Sequence, residues 1–155
     1  MSVYLVQHAE ARPKVEDPER HLTDQGKADI EKVAAFIVEN TTLKVKRILH
    51  SGKARAQQTA EVLAKYLNPS DGVSSTEGLE PLAEPSIWAD RLADTKEELM
   101  LVGHLPHLDK LAAKLVCQND ERSVVTFRMG GIVCLGRDDS KNWTVRWMIT
   151  PFLLK

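Results

Sequence analysis

The sequence has little cysteine, and none of its cysteines or histidines is spaced as a metal-binding motif requires. Cys117 and Cys134 are its only two cysteines, which argues against a disulfide framework and fits reduced thiols in a reducing compartment. No apolar stretch approaches the roughly 18 residues that span a bilayer, and the first residues lack the basic and apolar regions of a signal peptide. We therefore expect a cytoplasmic protein that has no membrane partner and no metal site.

An excess of charge of either sign is also absent. The chain carries 21 basic and 22 acidic residues for a formal net charge of -1, and these are spread along its length without the basic stripe that nucleic-acid binding requires. With 155 residues and 43% hydrophobic content, it can bury a continuous core without stabilising disulfides or metal ions. We expect a single domain over residues 1–155, in which any anion-binding site is local.

Two histidines each follow a short apolar run. His8 lies just past the run Val3-Tyr4-Leu5-Val6 and His104 just past the run Leu99-Met100-Leu101-Val102-Gly103, and both runs are typical of buried strands in a parallel sheet. A third such run ends near Leu49, and Arg55 follows it in the expected first turn of a helix. Because open α/β sheets bind ligands at the carboxyl ends of their strands, these side chains are candidates for one site. Two imidazoles and a guanidinium suit a phosphoryl group.

Strand and helix patterns alternate through most of the chain. Apolar residues from Ile30 to Val38 recur at helical spacing after a start near Thr23. The other expected elements are a helix from an N-cap at Ser51 to Leu67, a short strand at 76–79, a helical turn at 87–92 and a helix whose first turn contains Pro106.

The last part of the chain contains strand patterns only. The runs at 131–135 and 143–149 are separated by a polar turn, which predicts an antiparallel hairpin. Together with the alternating elements before it, this hairpin predicts a three-layer α/β/α sandwich. Its central sheet is expected to be mostly parallel, with the antiparallel hairpin at one edge.

Four motifs, in order, carry a resemblance to a known family. They are Gln7-His8-Ala9, Leu22-Thr23-x-x-Gly26, Ser51-x-x-x-Arg55-Ala56-x-Gln58-Thr59-Ala60 and Val102-Gly103-His104-Leu105-Pro106. Each motif alone is weak, but their order along a short chain resembles the histidine phosphatase (phosphoglycerate mutase-like) superfamily, and in particular its SixA-type phosphohistidine phosphatase branch. The resemblance departs at Gln7, where the family carries an arginine, and at Ala9, where it carries a glycine.

The resemblance implies a metal-independent phosphatase with no cofactor. In it, His8 would attack phosphorus to form a covalent phosphohistidine, while Arg55 and His104 bind the phosphoryl group. The implied partner is a phosphohistidine-containing protein such as a phosphotransfer domain. Gln7 would line the pocket, and we expect Arg20 to restore part of the charge lost at position 7, with Arg12 as a second candidate.

Two alternatives remain open at this stage. The first is a phosphomonoesterase of the same fold acting on a small phosphorylated substrate, for which Glu80 or Glu84 would be the general acid. The second is a phosphate-binding adaptor without turnover, for which Gln7 is the main argument. The other histidines are interpreted as structural: His21 and His50 lie near chain turns, and His107 is expected to face solvent.

Overall fold

The computed structural model describes residues 1–155 as one six-stranded sheet and four α-helices. The strands are β1 (Ser2–Gln7), β2 (Arg47–His50), β3 (Val73–Ser75), β4 (Leu99–Gly103), β5 (Ile132–Arg137) and β6 (Trp143–Ile149). The helices are α1 (Asp24–Asn40), α2 (Ala54–Leu67), α3 (Pro85–Asp94) and α4 (His107–Cys117), followed by a 3-10 turn at Pro151–Leu153. None of these helices combines the length and apolar character needed to cross a membrane.

The sheet has the strand order β3-β2-β4-β1-β5-β6. The first four strands in that order run parallel, whereas β5 is antiparallel to both β1 and β6. The hairpin formed by β5 and β6 therefore lies at one edge. This arrangement confirms the predicted mostly parallel sheet with an antiparallel edge hairpin.

Helices cover both faces of the sheet. Along β1, Tyr4 and Val6 belong to a core cluster shared with α1 and α2, whereas Val3 and Leu5 belong to a second cluster shared with α3 and α4. Successive side chains of a strand point to opposite faces, so a central strand covered on both sides reads as an unbroken apolar run. The three-layer arrangement follows from this double burial.

Helix α1 begins where the sequence predicts. The Thr23 hydroxyl accepts a hydrogen bond from Gly26 N at 2.9 Å, which is the N-cap arrangement that satisfies a free amide of the first turn. Ile30 and Ile37 are buried on its apolar stripe, but Val38 at the end of that stripe is 47% exposed. The stripe therefore covers the core for most of the helix length.

Two local expectations are wrong, and a third is confirmed as part of a longer element. The N-cap of α2 is Lys53 rather than Ser51, since the chain makes an extra turn at Gly52, whose φ is 90°. Strand β3 lies at Val73–Ser75, ahead of the predicted 76–79, because its pairing with β2 sets its position. The expected helical turn at 87–92 is part of the longer helix α3, which begins at Pro85, a residue well suited to the first turn.

Candidate functional site

The parallel register brings three chain segments to one end of the sheet. Gln7 at the end of β1 pairs with Gly103 at the end of β4, and His50 at the end of β2 pairs with Val102. The next residues along these strands, His8, Ser51 and His104, therefore leave the sheet side by side. The ring centroids of His8 and His104 are 5.1 Å apart, with 50° between the ring planes.

His8 is held with one ring nitrogen available. Its backbone N–H donates to Gly103 O at 3.1 Å, and its Nδ1 lies 2.7 Å from Ala9 O. Because a carbonyl oxygen only accepts, Nδ1 must carry the proton in this contact, which leaves the lone pair on Nε2. Burial lowers the pKa of His8 to about 4, opposed by the hydrogen bond to Ala9 and aided by the charges of Arg55 and Arg20. The ring is therefore neutral at physiological pH.

His104 is the more deeply buried of the pair, with 1% of its surface exposed. Its Nε2 lies 2.6 Å from the Ser51 hydroxyl oxygen, while its Nδ1 is buried without a partner. Burial, and after it the charges of His8 and Arg55, lower the pKa of His104 to about 3. His104 is therefore a neutral, polar wall of the site.

Arg55 reaches the site from the second residue of α2. Its charge contributes to the lowered pKa values of both His8 and His104. Thr59, one turn later, fixes the helix to the loop after His8: its hydroxyl accepts from Ala9 N at 3.0 Å and donates to Arg55 O at 2.7 Å. No carboxylate forms an ion pair with Arg55, and its Nε is buried without a partner. Arg55 is a half-buried cation open to an anionic ligand.

Arg20 lines a cavity of about 660 Å³ together with Arg55. Its φ of 55° is left-handed, and its Nε donates to Arg12 O at 3.1 Å, which orients the side chain within its loop. The charge of Arg20 contributes to the lowered pKa of His8 and of Arg55. The structure therefore brings Arg20 to the candidate site, whereas the side chain of Arg12 does not line this cavity.

Gln7 lines a different groove, on the β5 side of His8, together with Leu105 and Arg128. Its Oε1 is buried and has no hydrogen-bond donor. Gln7, expected to line the phosphoryl pocket, therefore lines a neighbouring groove and not the cavity that Arg55 and Arg20 share. The long-range neighbour Arg128 and the cavity residues Lys14 and Lys53 were missed, because no local motif marks them.

Neither candidate general acid forms a hydrogen bond or an ion pair with the imidazole pair. Glu80 accepts a hydrogen bond from Gly78 N at 3.0 Å through Oε2, and its charge acts on His107. Glu84 is the exposed residue that precedes α3. Neither carboxylate forms a hydrogen bond or an ion pair with His8 or Arg55. No group of three or more histidine, cysteine, aspartate or glutamate side chains is arranged to hold a metal ion.

The prediction for His107 is wrong. It does not face solvent but is 0% exposed, and both its ring nitrogens lack hydrogen-bond partners. His50 and His21 have structural contacts: His50 Nδ1 accepts from Gly52 N at 3.0 Å, and His21 Nδ1 lies 2.7 Å from Asp17 Oδ2. Burial lowers the pKa of His107 to about 4, while the Glu80 charge opposes this shift.

Four buried imidazoles, those of His8, His50, His104 and His107, predict loss of stability in acid, because burial lowers the pKa of each. The pKa values of His8 and His107 are lowered to about 4 and that of His104 to about 3, so between these values and about 6.5 the unfolded chain binds more protons. The contribution of these histidines to the free energy of unfolding is therefore fully present above about pH 6.5 and falls as the pH drops to 4. Each histidine contributes a slope of up to about 1.4 kcal/mol per pH unit.

Urea unfolding measured from pH 4 to pH 8 checks this expectation. The variant His107→Leu should show a shallower pH dependence than the wild type, because one proton-linked group is removed. A wild-type free energy of unfolding that stays flat from pH 6.5 to pH 4, or an unchanged slope in His107→Leu, contradicts the account of buried neutral rings.

Comparisons with known proteins agree with this geometry. A model of the histidine phosphatase superfamily (branch 1) matches residues 3–84. The phosphohistidine phosphatase SixA of Escherichia coli (strain K12) is 26% identical over 160 residues, which cover 100% of this chain and 97% of that protein.

Solved structures share the fold. A structure of the protein histidine phosphatase SixA complexed with tungstate superimposes with a TM-score of 0.87 at 24% identity and covers 100% of both chains. The α-ribazole phosphatase of Shigella flexneri superimposes with a TM-score of 0.76 at 16% identity over 97% of each chain. Since the family model matches more than half of its residues, the chain belongs to the histidine phosphatase superfamily, and it is a phosphatase, a hydrolase acting on phosphoryl groups.

Proposed function

We propose that this phosphatase removes the phosphoryl group from phosphohistidine on a protein, such as a histidine-containing phosphotransfer domain. The reaction needs no metal ion and passes through a covalent phosphohistidine on His8. The observation that carries the proposal is the pairing of His8 Nδ1 with Ala9 O at 2.7 Å. It directs a neutral ring with a free Nε2 toward a site that also contains Arg55 and His104.

The reaction has two steps. In the first, the lone pair of His8 Nε2 forms a bond to phosphorus while the P–N bond of the substrate breaks, and the electron pair of that bond leaves with the substrate imidazole, which takes a proton from solvent water. In the second, water attacks phosphorus and loses a proton to solvent while the P–Nε2 bond breaks and its electron pair returns to Nε2, which releases inorganic phosphate and restores neutral His8. The fixed Nδ1 proton keeps the ring in the reactive tautomer throughout.

Positive charge for both steps comes from guanidinium groups. Arg55 has no carboxylate partner, so its N–H groups are free for two phosphoryl oxygens. Arg20 faces the same cavity and adds charge at its rim. When its Nε2 carries the proton, His104 donates a hydrogen bond to a phosphoryl oxygen. That oxygen takes the place of the Ser51 hydroxyl oxygen, which lies 2.6 Å from Nε2.

The substrate class follows from what surrounds the imidazole pair. An alkoxide leaving group needs a general acid, and neither Glu80 nor Glu84 contacts His8. An imidazole leaving group takes a proton easily, so a phosphoramidate substrate does not need a placed carboxylic acid. The full-length similarity to a phosphohistidine phosphatase supports the same substrate class.

A substrate panel tests the proposal. We expect kcat/KM on a phosphohistidine protein to exceed that on simple phosphomonoesters by at least about a hundredfold, the contribution typical of a placed general acid that the esters lack here. Phosphate release is measured for both classes under the same conditions, with Arg122→Ala, a change at an exposed residue, as a control for altered surface charge. Equal or greater activity on esters would show a phosphomonoesterase, and phosphate binding without turnover on any substrate would show an adaptor.

A further inference from the structure

The groove on the β5 side of His8 contains an unsatisfied acceptor. Gln7, Leu105 and Arg128 line this groove, whose volume is about 450 Å³. Gln7 and Leu105 are the chain neighbours of His8 and His104, so the groove lies beside the segments that carry the imidazole pair. The Gln7 Oε1 is buried there without a donor, a state that costs free energy unless a donor reaches the oxygen. A donor group is therefore expected at this point.

The fold brings Arg128 to the same groove as this acceptor. Strand β5 pairs with β1 so that Ile132 lies opposite Val6, and the turn before β5 folds over the end of β1. Gly130 N donates to Gln7 O at 3.0 Å and to His8 O at 3.3 Å. Arg128 therefore lies two residues before Gly130, whose backbone contacts that of His8.

The Arg128 guanidinium is not engaged elsewhere. It forms no ion pair, and the residue is exposed. The groove also contains two carboxylates, but Glu10 accepts from the Thr23 hydroxyl at 2.7 Å, and Asp29 accepts from Gln25 Nε2 at 2.8 Å. The five N–H donors of the Arg128 guanidinium are thus free, and Gln7 Oε1 in the same groove lacks a donor.

We propose that Arg128 is a phosphoryl-binding residue, which rests on the proposed function above. One N–H of its guanidinium donates to Gln7 Oε1, which orients the fork, and the others donate to a phosphoryl oxygen on His8. The substrate phosphoryl group then lies between Arg55 on the β2 side and Arg128 on the β5 side. Arg128 supplies the positive charge that the glutamine at position 7 does not carry.

Binding of inorganic phosphate, measured by calorimetry, tests this assignment. We expect Arg128→Ala to weaken the affinity about tenfold or more, the scale of a charge-assisted hydrogen bond. Arg128→Lys should retain part of the affinity, since it keeps the charge but loses the planar fork. The matched control is Arg122→Ala, which removes an exposed arginine of the same loop and should leave the affinity unchanged.

A second background makes the test specific to position 7. In Gln7→Arg, the new guanidinium occupies the same side of the site, so the further change Arg128→Ala should alter the affinity by less than about twofold. A full tenfold loss in this background would overturn the proposal, as would equal losses in Arg128→Ala and Arg122→Ala.

The two proposals fail in different ways. Wild-type protein that binds no phosphate would overturn the proposed function itself. Wild-type binding that Arg128→Ala leaves unchanged would overturn only the role of Arg128 and leave the role of His8 and Arg55 intact. Because Arg128 is exposed and only its backbone carbonyl has a hydrogen bond, to Gly131 N at 2.9 Å, the variant is expected to fold.

Discussion

Replacing His8 by alanine is expected to lower kcat on a phosphohistidine protein by about ten-thousand-fold or more. The change removes the nucleophile itself, and effects of this size accompany the loss of a covalent catalytic group. Its ring lies 5.1 Å from that of His104, but His104 Nε2 is turned toward Ser51 and does not replace it. The measurement is single-turnover release of phosphate from the labelled substrate protein.

The control for this variant is phosphate binding. Arg55 and His104 remain in place, so His8→Ala should bind inorganic phosphate within about threefold of the wild type, a difference well below 1 kcal/mol. A small decrease in kcat would contradict the role of His8 as nucleophile. Loss of phosphate binding together with activity would instead show that the ring supports the structure of the site.

Arg55→Ala is expected to lower kcat/KM by about a hundred- to a thousandfold, because a fixed cation that stabilises transition-state charge contributes about 2.7–4 kcal/mol. Arg55→Lys should recover only part of the loss, since lysine cannot offer two parallel donors to the phosphoryl group. Arg20→Ala should have the smaller effect, because Arg20 approaches from a loop at the cavity rim and its Nε is already bonded to Arg12 O.

Steady-state kinetics on the phosphohistidine protein separates these three variants. Arg122→Ala is the control for loss of an exposed positive charge and should match the wild type. Activity of Arg55→Ala within threefold of the wild type would remove Arg55 from the phosphoryl site, and a larger loss in Arg20→Ala than in Arg55→Ala would reverse their assigned roles.

The strand ends could be predicted because a strand that is buried on both faces has an unbroken apolar run in its sequence. The run before His8 is apolar at every position since β1 packs against helices on both sides, and the same holds for the run before His104. Because β1 and β4 are parallel neighbours, both histidines lie at the same end of the sheet. That step depends only on the direction of the strands, which the intervening helices determine.

The burial of His107 follows from its position on α4. His107, Leu111 and Leu115 are spaced by four residues on this helix, and all three are buried. Residues at this spacing share one helix face, so the spacing indicates an inward ring although histidine is a polar residue type.

Other features depend on contacts that no local pattern records. Ser51 suits an N-cap, yet its hydroxyl lies against His104, and the N-cap of α2 falls two residues later, at Lys53. Arg128 reaches the neighbourhood of Gln7 only through the antiparallel pairing of β5 with β1. Tertiary pairing of this kind decides which cations surround the site, and sequence spacing does not contain it.

The central claim is that His8 Nε2 accepts the phosphoryl group, and trapping the phosphorylated enzyme tests it most directly. Wild-type protein is mixed with an isotopically labelled phosphohistidine protein, quenched in alkali, and the position of the label is determined by peptide mapping and phosphorus NMR. The account predicts an acid-labile label on Nε2 of His8, since Nδ1 is occupied by its hydrogen bond to Ala9 O. A label on Nδ1, a label on another histidine, or full turnover with no labelled enzyme would contradict it.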